Sequence, residues 1–232
     1  MKHLNLILII LILSCCPLHP VYAFLDKDIR LLTMKDGLAD NTIPCIYKDE
    51  DGFMWFGTDD GLSRYDGKTI QNFKPADTYA SVAAIVRLSD DFLGIVSDGY
   101  LYYFNRKQET FLPIHTESDT AIGVFNVLPA DNSSFWGISG NRLILCQWEI
   151  QQGKEEEKTA VRVRIQKTFQ LLEEKGEVFS SLCYHEKAGN GIWLTTNRGN
   201  LILFHPDTPG AYQKIPLTDG KTLQVTSILN RD

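Results

Sequence analysis

Asp51-Gly52-Phe53-Met54-Trp55-Phe56-Gly57-Thr58-Asp59-Asp60-Gly61-Leu62-Ser63-Arg64-Tyr65-Asp66-Gly67 carries three turn signals in one short stretch. Asp51-Gly52, Asp60-Gly61 and Asp66-Gly67 each set a carboxylate beside a glycine, the pairing that tight turns favour. The runs that follow the first two, Phe53 to Gly57 and Leu62 to Asp66, are too short for helices and read as strands. A run over 43–48 precedes them and another over 70–73 follows. Four strands in succession, each joined by a turn, make one small antiparallel sheet.

The pattern comes back. Gly191-Ile192-Trp193-Leu194-Thr195-Thr196 repeats apolar–Trp–apolar–x–Thr, with Gly199 six positions after Trp193 as Gly61 follows Trp55. Phe92-Leu93-Gly94-Ile95-Val96-Ser97 keeps the hydroxyl but has Gly94 at the Trp position, and Phe135-Trp136-Gly137-Ile138-Ser139 restores the Trp. Positions 55, 94, 136 and 193 are spaced 39, 42 and 57. A period near forty is that of propeller blades.

The second unit places strands at 82–88, 92–96, 100–105 and 110–114, the third at 122–128, 134–138, 142–150 and 160–170. The fourth has 178–184, 191–195, 200–205 and 212–216, and a fifth unit begins at 223–229. The long third period is explained by a charged loop over 151–158, with Val161, Val163 and Ile165 alternating with Arg162, Arg164 and Gln166 on the strand beyond it. A short helix over 169–175 is the alternative for the end of that strand. Sheets of this size cannot bury both faces alone, and radial stacking is the usual solution. The fold class is therefore all-β, a β-propeller of about four four-stranded blades plus the start of a fifth. Trp55, Trp136 and Trp193 then fill the gaps between sheets, Gly61 and Gly199 permit tight turns, and Gly57 and Thr58 are further structural positions of the repeat. A Trp-lined sugar groove is the competing reading of those rings.

Hydrophobic residues at 44% and charged ones at 22% allow a sizeable core. A net charge of −6 argues against a nucleic-acid partner, which needs a basic patch. Lys2 and His3, the apolar run from Leu4 to Leu13, and Val21-Tyr22-Ala23 form a secretory signal peptide over 1–23, followed by the propeller part over 24–232. The apolar run is too short to span a bilayer. Ile12-Leu13-Ser14-Cys15 leaves open a lipoprotein signal with Cys15 lipidated. Beyond the signal stand Cys45, Cys146 and Cys183, an odd number that reads as core thiols and not as a disulfide framework.

Asp36-Gly37-Leu38, Asn41 and the run from Ile46 to Gly67 resemble the two-component regulator propeller repeat, whose pattern runs D-x-x-G-x-x-W-x-G-T-x-x-G-L-x-x-Y-D-G after a GLS-type start. Trp193 to Gly199 is a partial second match, and the middle units depart from it, most plainly at Gly94. The resemblance implies the periplasmic sensor of a Bacteroides-type hybrid two-component system that detects glycan breakdown products. It implies an oligosaccharide ligand, a homodimer in full-length relatives, and downstream propeller, membrane and kinase parts of the same protein. Kinase, receiver and DNA-binding motifs do not occur in this sequence.

No residues suggest catalysis, a cofactor or a metal. Gly67-Lys68-Thr69 and Gly220-Lys221-Thr222 lack the glycine that a phosphate loop needs five positions earlier, where Leu62 and Ile215 stand. Asp49, Asp51 and Gly52 fall short of a calcium loop and read as turn chemistry. His115, His185 and His205 lack metal-ligand spacing. Asp59-Asp60 and Asp90-Asp91 sit at turns, where solvated carboxylates keep ordinary acidity. The sensor reading is set against a free-standing binding module and a propeller lyase or glycosidase. The phase of the repeat makes 29–34 the last strand of a blade and 223–232 the start of another, so open apolar faces are expected at the first and last sheets.

Overall fold

The computed structural model describes residues 30–74, 81–117, 120–151, 160–185, 191–208 and 212–216. The signal segment 1–23, most of the charged loop and the fifth unit lie outside them. The chain divides into two units at Leu32–Thr33, and all of the sheets belong to the second.

The turn glycines and carboxylates place the strands as four consecutive antiparallel sheets. The first contains β1 (Cys45–Lys48), β2 (Met54–Thr58), β3 (Gly61–Tyr65) and β4 (Ile70–Phe73), and the second β5 (Val82–Arg87), β6 (Phe92–Ser97), β7 (Tyr100–Asn105) and β8 (Thr110–Pro113). A short strand, β9 (His115–Thr116), precedes the third sheet of β10 (Asn126–Pro129), β11 (Ser134–Ser139), β12 (Arg142–Gln151) and β13 (Ala160–Gln170). The fourth has β14 (Phe179–His185), β15 (Gly191–Thr196), β16 (Asn200–Phe204) and β17 (Tyr212–Pro216). The first strands of successive sheets lie side by side, β1 by β5, β5 by β10 and β10 by β14, as in a propeller.

Three expectations need correction. Residues 30–33 form no strand, and Met34–Asp36 is a 3-10 turn. The turn wins because Thr33 and Asp36 cap it reciprocally: Lys35 N–H donates to Thr33 Oγ1 at 3.2 Å and Thr33 N–H to Asp36 Oδ2 at 2.9 Å. The third sheet starts at Asn126, not 122, because Val124 N–H is drawn to Gly99 O at 2.8 Å on the second sheet's hairpin. The third sheet also has five strands: β9 runs parallel along β13, pairing His115 with Arg162 and Thr116 with Val163. The strand reading of 160–170 holds, and the helical alternative for 169–175 does not.

Packing lies between the sheets, in three apolar clusters, one per interface. Trp55 packs with Phe73 at 6.0 Å and with Phe104 of the next sheet at 5.6 Å. The third and fourth sheets reproduce this triad in Trp136, Phe169 and Phe204, with Trp136 5.9 and 6.0 Å from the two phenylalanines. Each such pair adds roughly 0.5–1.5 kcal/mol beyond its burial. Gly57 is fixed by closeness: a Cβ there would lie 2.4 Å from Cys45 Sγ and 2.5 Å from Val82 O on the next sheet. Gly61 has φ +111° and a Cβ would meet Phe73 O at 2.6 Å.

Candidate functional site

Each second strand ends in a hydroxyl residue at its hairpin, at Thr58, Ser97, Ser139 and Thr196. Thr58 Oγ1 donates to Gly61 O at 2.9 Å and accepts from Asp60 N–H at 3.1 Å, closing the turn. Three positions earlier stand Trp55, Gly94, Trp136 and Trp193, all on second strands and in the same register. Trp55 and Trp136 are buried and Trp193 is half-buried, with Leu201 and Leu203 half-buried beside it. Gly199 follows Trp193 at the fourth hairpin, where its N–H donates to Thr196 O at 3.0 Å.

The opposite end of the sheets is where the units differ. There the first hairpin of each of the first three units closes through the same backbone bond, Asp49 N–H to Phe53 O, Leu88 N–H to Phe92 O, and Ala130 N–H to Ser134 O. Asp49, Leu88 and Ala130 are thus equivalent. Counting from the matched leucines Leu62, Leu101, Leu143 and Leu201, Arg64, Tyr103 and Leu145 are equivalent on the third strands. The residues that reach back from the following sheet are Arg106, Trp148 and Pro206.

Between the first and second sheets these positions form a charged plug. The Asp49 side chain is wholly buried and accepts Trp55 Nε1–H at 2.7 Å, Phe53 N–H at 2.8 Å and Arg106 at 2.9 Å. Arg106 also meets Asp51 at 2.5 Å and donates to Asp90 O at 2.7 Å. Arg64 lies over the rings of Phe53, Trp55 and Phe73 at 5.2, 5.5 and 5.2 Å. Every buried polar atom here has a partner, as burial demands.

Between the second and third sheets the plug is apolar. A Cβ on Gly94 would lie 2.8 Å from Val86 Cγ1 and 3.0 Å from Leu88 Cδ2, so neighbours occupy the space of the missing ring. Trp148 stacks on Phe135 at 5.7 Å, and Tyr103 meets Phe92 edge-on at 5.5 Å.

Between the third and fourth sheets the same positions are Ala130, Leu145 and Pro206, and a groove of about 670 Å³ opens. Trp136 and Leu145 line it, with Pro129, Ala130 and Pro206, and its polar groups come from Asp131, Asn132, Ser134, Gln166, Tyr184 and Asp207. Among the described residues Trp136 has no hydrogen-bond partner for its indole N–H, where Trp55 has Asp49. Hydrogen bonds from the Ser134 side chain and Ser133 N–H hold the Asp131 carboxyl below its ordinary range. Tyr184 donates its hydroxyl to Pro129 O. Burial, and then the Asp131 charge, push its phenol upward. The groove therefore has an apolar floor, a donor without an acceptor, two carboxylates and no lysine or arginine among its described lining residues.

The remaining polar features are structural. Asp66 accepts Lys68 N–H, Thr69 N–H and Thr69 Oγ1–H at 2.7, 2.6 and 2.8 Å. Those bonds, Thr69 N–H first, hold its carboxyl down to about 2 and make Asp66-Gly67-Lys68-Thr69 a turn. Asp60 pairs with Lys74, Asp90 with Arg87 and Asp91 with Lys107. His115 lies on β9, His185 ends β14 and His205 follows β16. No group of three or more His, Cys, Asp or Glu stands together as metal ligands among the described residues. Burial pushes the Cys45 and Cys146 thiols to about 11 and about 12, and none of the three thiols forms a disulfide. No described helix is long and apolar enough to cross a membrane.

Sequence reasoning found the repeat-locked Trp positions and missed the groove, which is built of Asp131, Asn132, Gln166, Tyr184 and Asp207. Its signal was present in the exchanges Asp49 to Ala130, Arg64 to Leu145 and Arg106 to Pro206, visible once the units are aligned.

Comparison with known proteins agrees with the repeat. Residues 37–60 match the two component regulator propeller. No curated protein matches the chain. Among solved structures, the extracellular domain of a protein assigned to a hybrid two component system of B. thetaiotaomicron superposes with a TM-score of 0.57 and 20% identity, over 81% of this chain and 24% of that one. Virginiamycin B lyase from Staphylococcus aureus gives 0.50 and 14%, over 75% and 55%. At such identities the likeness is one of fold. The chain spans about a quarter of the first structure and about half of the second.

Proposed function

We propose that this chain is a non-catalytic sensor propeller, exported by the segment 1–23, that binds a ligand in the periplasm and passes the signal to further parts of a hybrid two-component protein. The observation that carries the reading is the two component regulator propeller repeat at 37–60, set in consecutive sheets that share their fold with the extracellular domain of a protein assigned to a hybrid two component system. Among the described residues the hairpin ends offer satisfied turns and no set of residues arranged as nucleophile, base and acid. The ligand class is an oligosaccharide released from a complex glycan, and the wider protein works as a homodimer.

The test is genetic and biochemical. Deleting the gene should abolish induction of a polysaccharide-utilisation locus on one glycan, and the purified chain should release no product from that glycan. N-terminal sequencing of the exported protein should begin at Phe24. Turnover of an oligosaccharide that is lost on a single carboxylate substitution would overturn the reading, as would an exported protein that still begins at Met1.

A further inference from the structure

We propose that the groove between the third and fourth sheets binds a small molecule carrying a protonated amine or guanidinium next to an oxygen acceptor, seated where Asp49 and Arg106 stand between the first two sheets. The inference goes beyond the sensor reading and holds or fails without it, because it concerns binding to this chain alone.

The molecule supplies its own template. In the first interface a carboxylate oxygen takes the Trp55 indole N–H at 2.7 Å, and the Arg106 guanidinium sits 2.9 Å from the same oxygen. In the third interface the ring remains, packed in the same aromatic triad, while the carboxylate has become Ala130 and the guanidinium Pro206. What is left is a space of about 670 Å³, within the range of small-molecule sites, of roughly 300–1,000 Å³. Its needs follow from what lines it. The Trp136 N–H wants an oxygen. Asp131 and Asp207 want a positive charge, and the described lining offers none. Leu145, where Arg64 stands in the first unit, leaves an apolar wall for the ligand's carbon skeleton. The second interface rules out a general slackness of the fold, because there Leu88 and Trp148 close the same gap with carbon.

Two sources of such chemistry are distinguishable: an amino sugar and an arginine-like amine. The probes are glucosamine and argininamide, with N-acetylglucosamine and citrullinamide as uncharged counterparts, added to the full chain. The indole N–H resonances of its four tryptophans are followed by NMR, that of Trp136 being assigned with Trp136→Phe. At least one cationic probe should shift the Trp136 signal saturably, and the tighter of the two names the source. Its uncharged counterpart should bind at least roughly tenfold more weakly, as should the cation to D131N/D207N, since a charge-assisted hydrogen bond is at stake. A130D/P206R, which rebuilds the plug, should abolish the shift. The Trp55 resonance, held by Asp49, reports whether each variant is folded. No saturable shift with either cation up to about 10 mM, a range that covers even millimolar affinity, overturns the proposal. So do equal affinity for the uncharged probes and unchanged binding to folded D131N/D207N.

Discussion

The first and third interfaces are built on one aromatic triad, Trp55–Phe73–Phe104 in one and Trp136–Phe169–Phe204 in the other, and they end differently. In the first, the ring is tied to Asp49, Asp49 to Arg106, and Arg106 to Asp51, so the end is closed by charge. In the third, alanine, leucine and proline stand at those places and the end is open. At these two interfaces the triad supplies the adhesion, whereas the end positions are free to vary. A repeat can thus convert one of its seams into a recess without touching its core.

The comparison can be broken most forcefully at Asp49. Asp49→Ala strands a buried indole N–H and part of a buried guanidinium, and losing one partner of a buried pair costs about 3–5 kcal/mol. Arg106 keeps Asp51 and Asp90 O, which points to the lower end, about 3 kcal/mol, or a melting temperature lower by about 6–12 °C for a chain of this size. Differential scanning calorimetry decides it, and a loss under about 1 kcal/mol would mean that the first interface is not held by its plug.

Gly57→Ala tests the close approach of the first two sheets. Its Cβ would be driven against Val82 O, which is backbone and cannot swing aside, so a loss of about 1–3 kcal/mol is expected from denaturant melts. The same change at Gly140, where no atom lies within 4 Å, provides the control for space but carries strain from φ +61°.

A paired substitution sharpens the contrast between the rings. Trp55→Phe removes a donor from a buried carboxylate and should cost about 1–3 kcal/mol more than its lost area. Trp136→Phe removes no hydrogen bond, so the two variants should differ by that amount. Equal losses would show that the indole N–H of Trp136 has an acceptor after all.

The smallest effect concerns the hairpin end of the fourth sheet. Burial disfavours the Glu177 charge, but bonds from Asn200 at 2.6 Å, Thr196 at 2.8 Å and Lys214 at 3.0 Å outweigh it, and its pKa is lowered from 4.5. A folded pKa below the unfolded one means that stability is present above pH 4.5 and is lost as pH falls through the folded value. Melting curves from pH 6 down to 3 should steepen below about 4.5, and Glu177→Gln should flatten that slope. A variant with an unchanged profile would remove Glu177 from the account.

The strands were legible because their signals are local. Asp-Gly pairs, a Trp and a hydroxyl residue three positions on recur within a few residues of each other, and 70–73, 100–105, 160–170 and 212–216 lie where the pattern placed them. β9 was not legible: two residues, His115 and Thr116, carry no alternation, and their parallel partners, Arg162 and Val163, belong to a strand that lies beyond three others in the chain. The strand expected at 29–34 fails in the described part because Thr33 and Asp36 prefer each other to a neighbouring strand. The groove was hidden for another reason. A motif search looks for residues that are present, and this site is made by Ala130, Leu145 and Pro206, each ordinary alone and informative only against Asp49, Arg64 and Arg106.

The parallel strand β9 has a consequence for how molecules of this protein meet in solution. β13 is the longest strand among the described residues, at 11 residues, and its outer rim would otherwise be a long row of open amides, the template on which a second molecule adds a strand. β9 covers Arg162 and Val163, and Arg162 donates on to Thr116 O at 3.1 Å. Farther along the rim, Arg164 pairs with Glu117 and Lys167 is exposed. Charge thus guards what the borrowed strand leaves bare, and two residues of the connection between the second and third sheets shield the rim from the addition of a further strand.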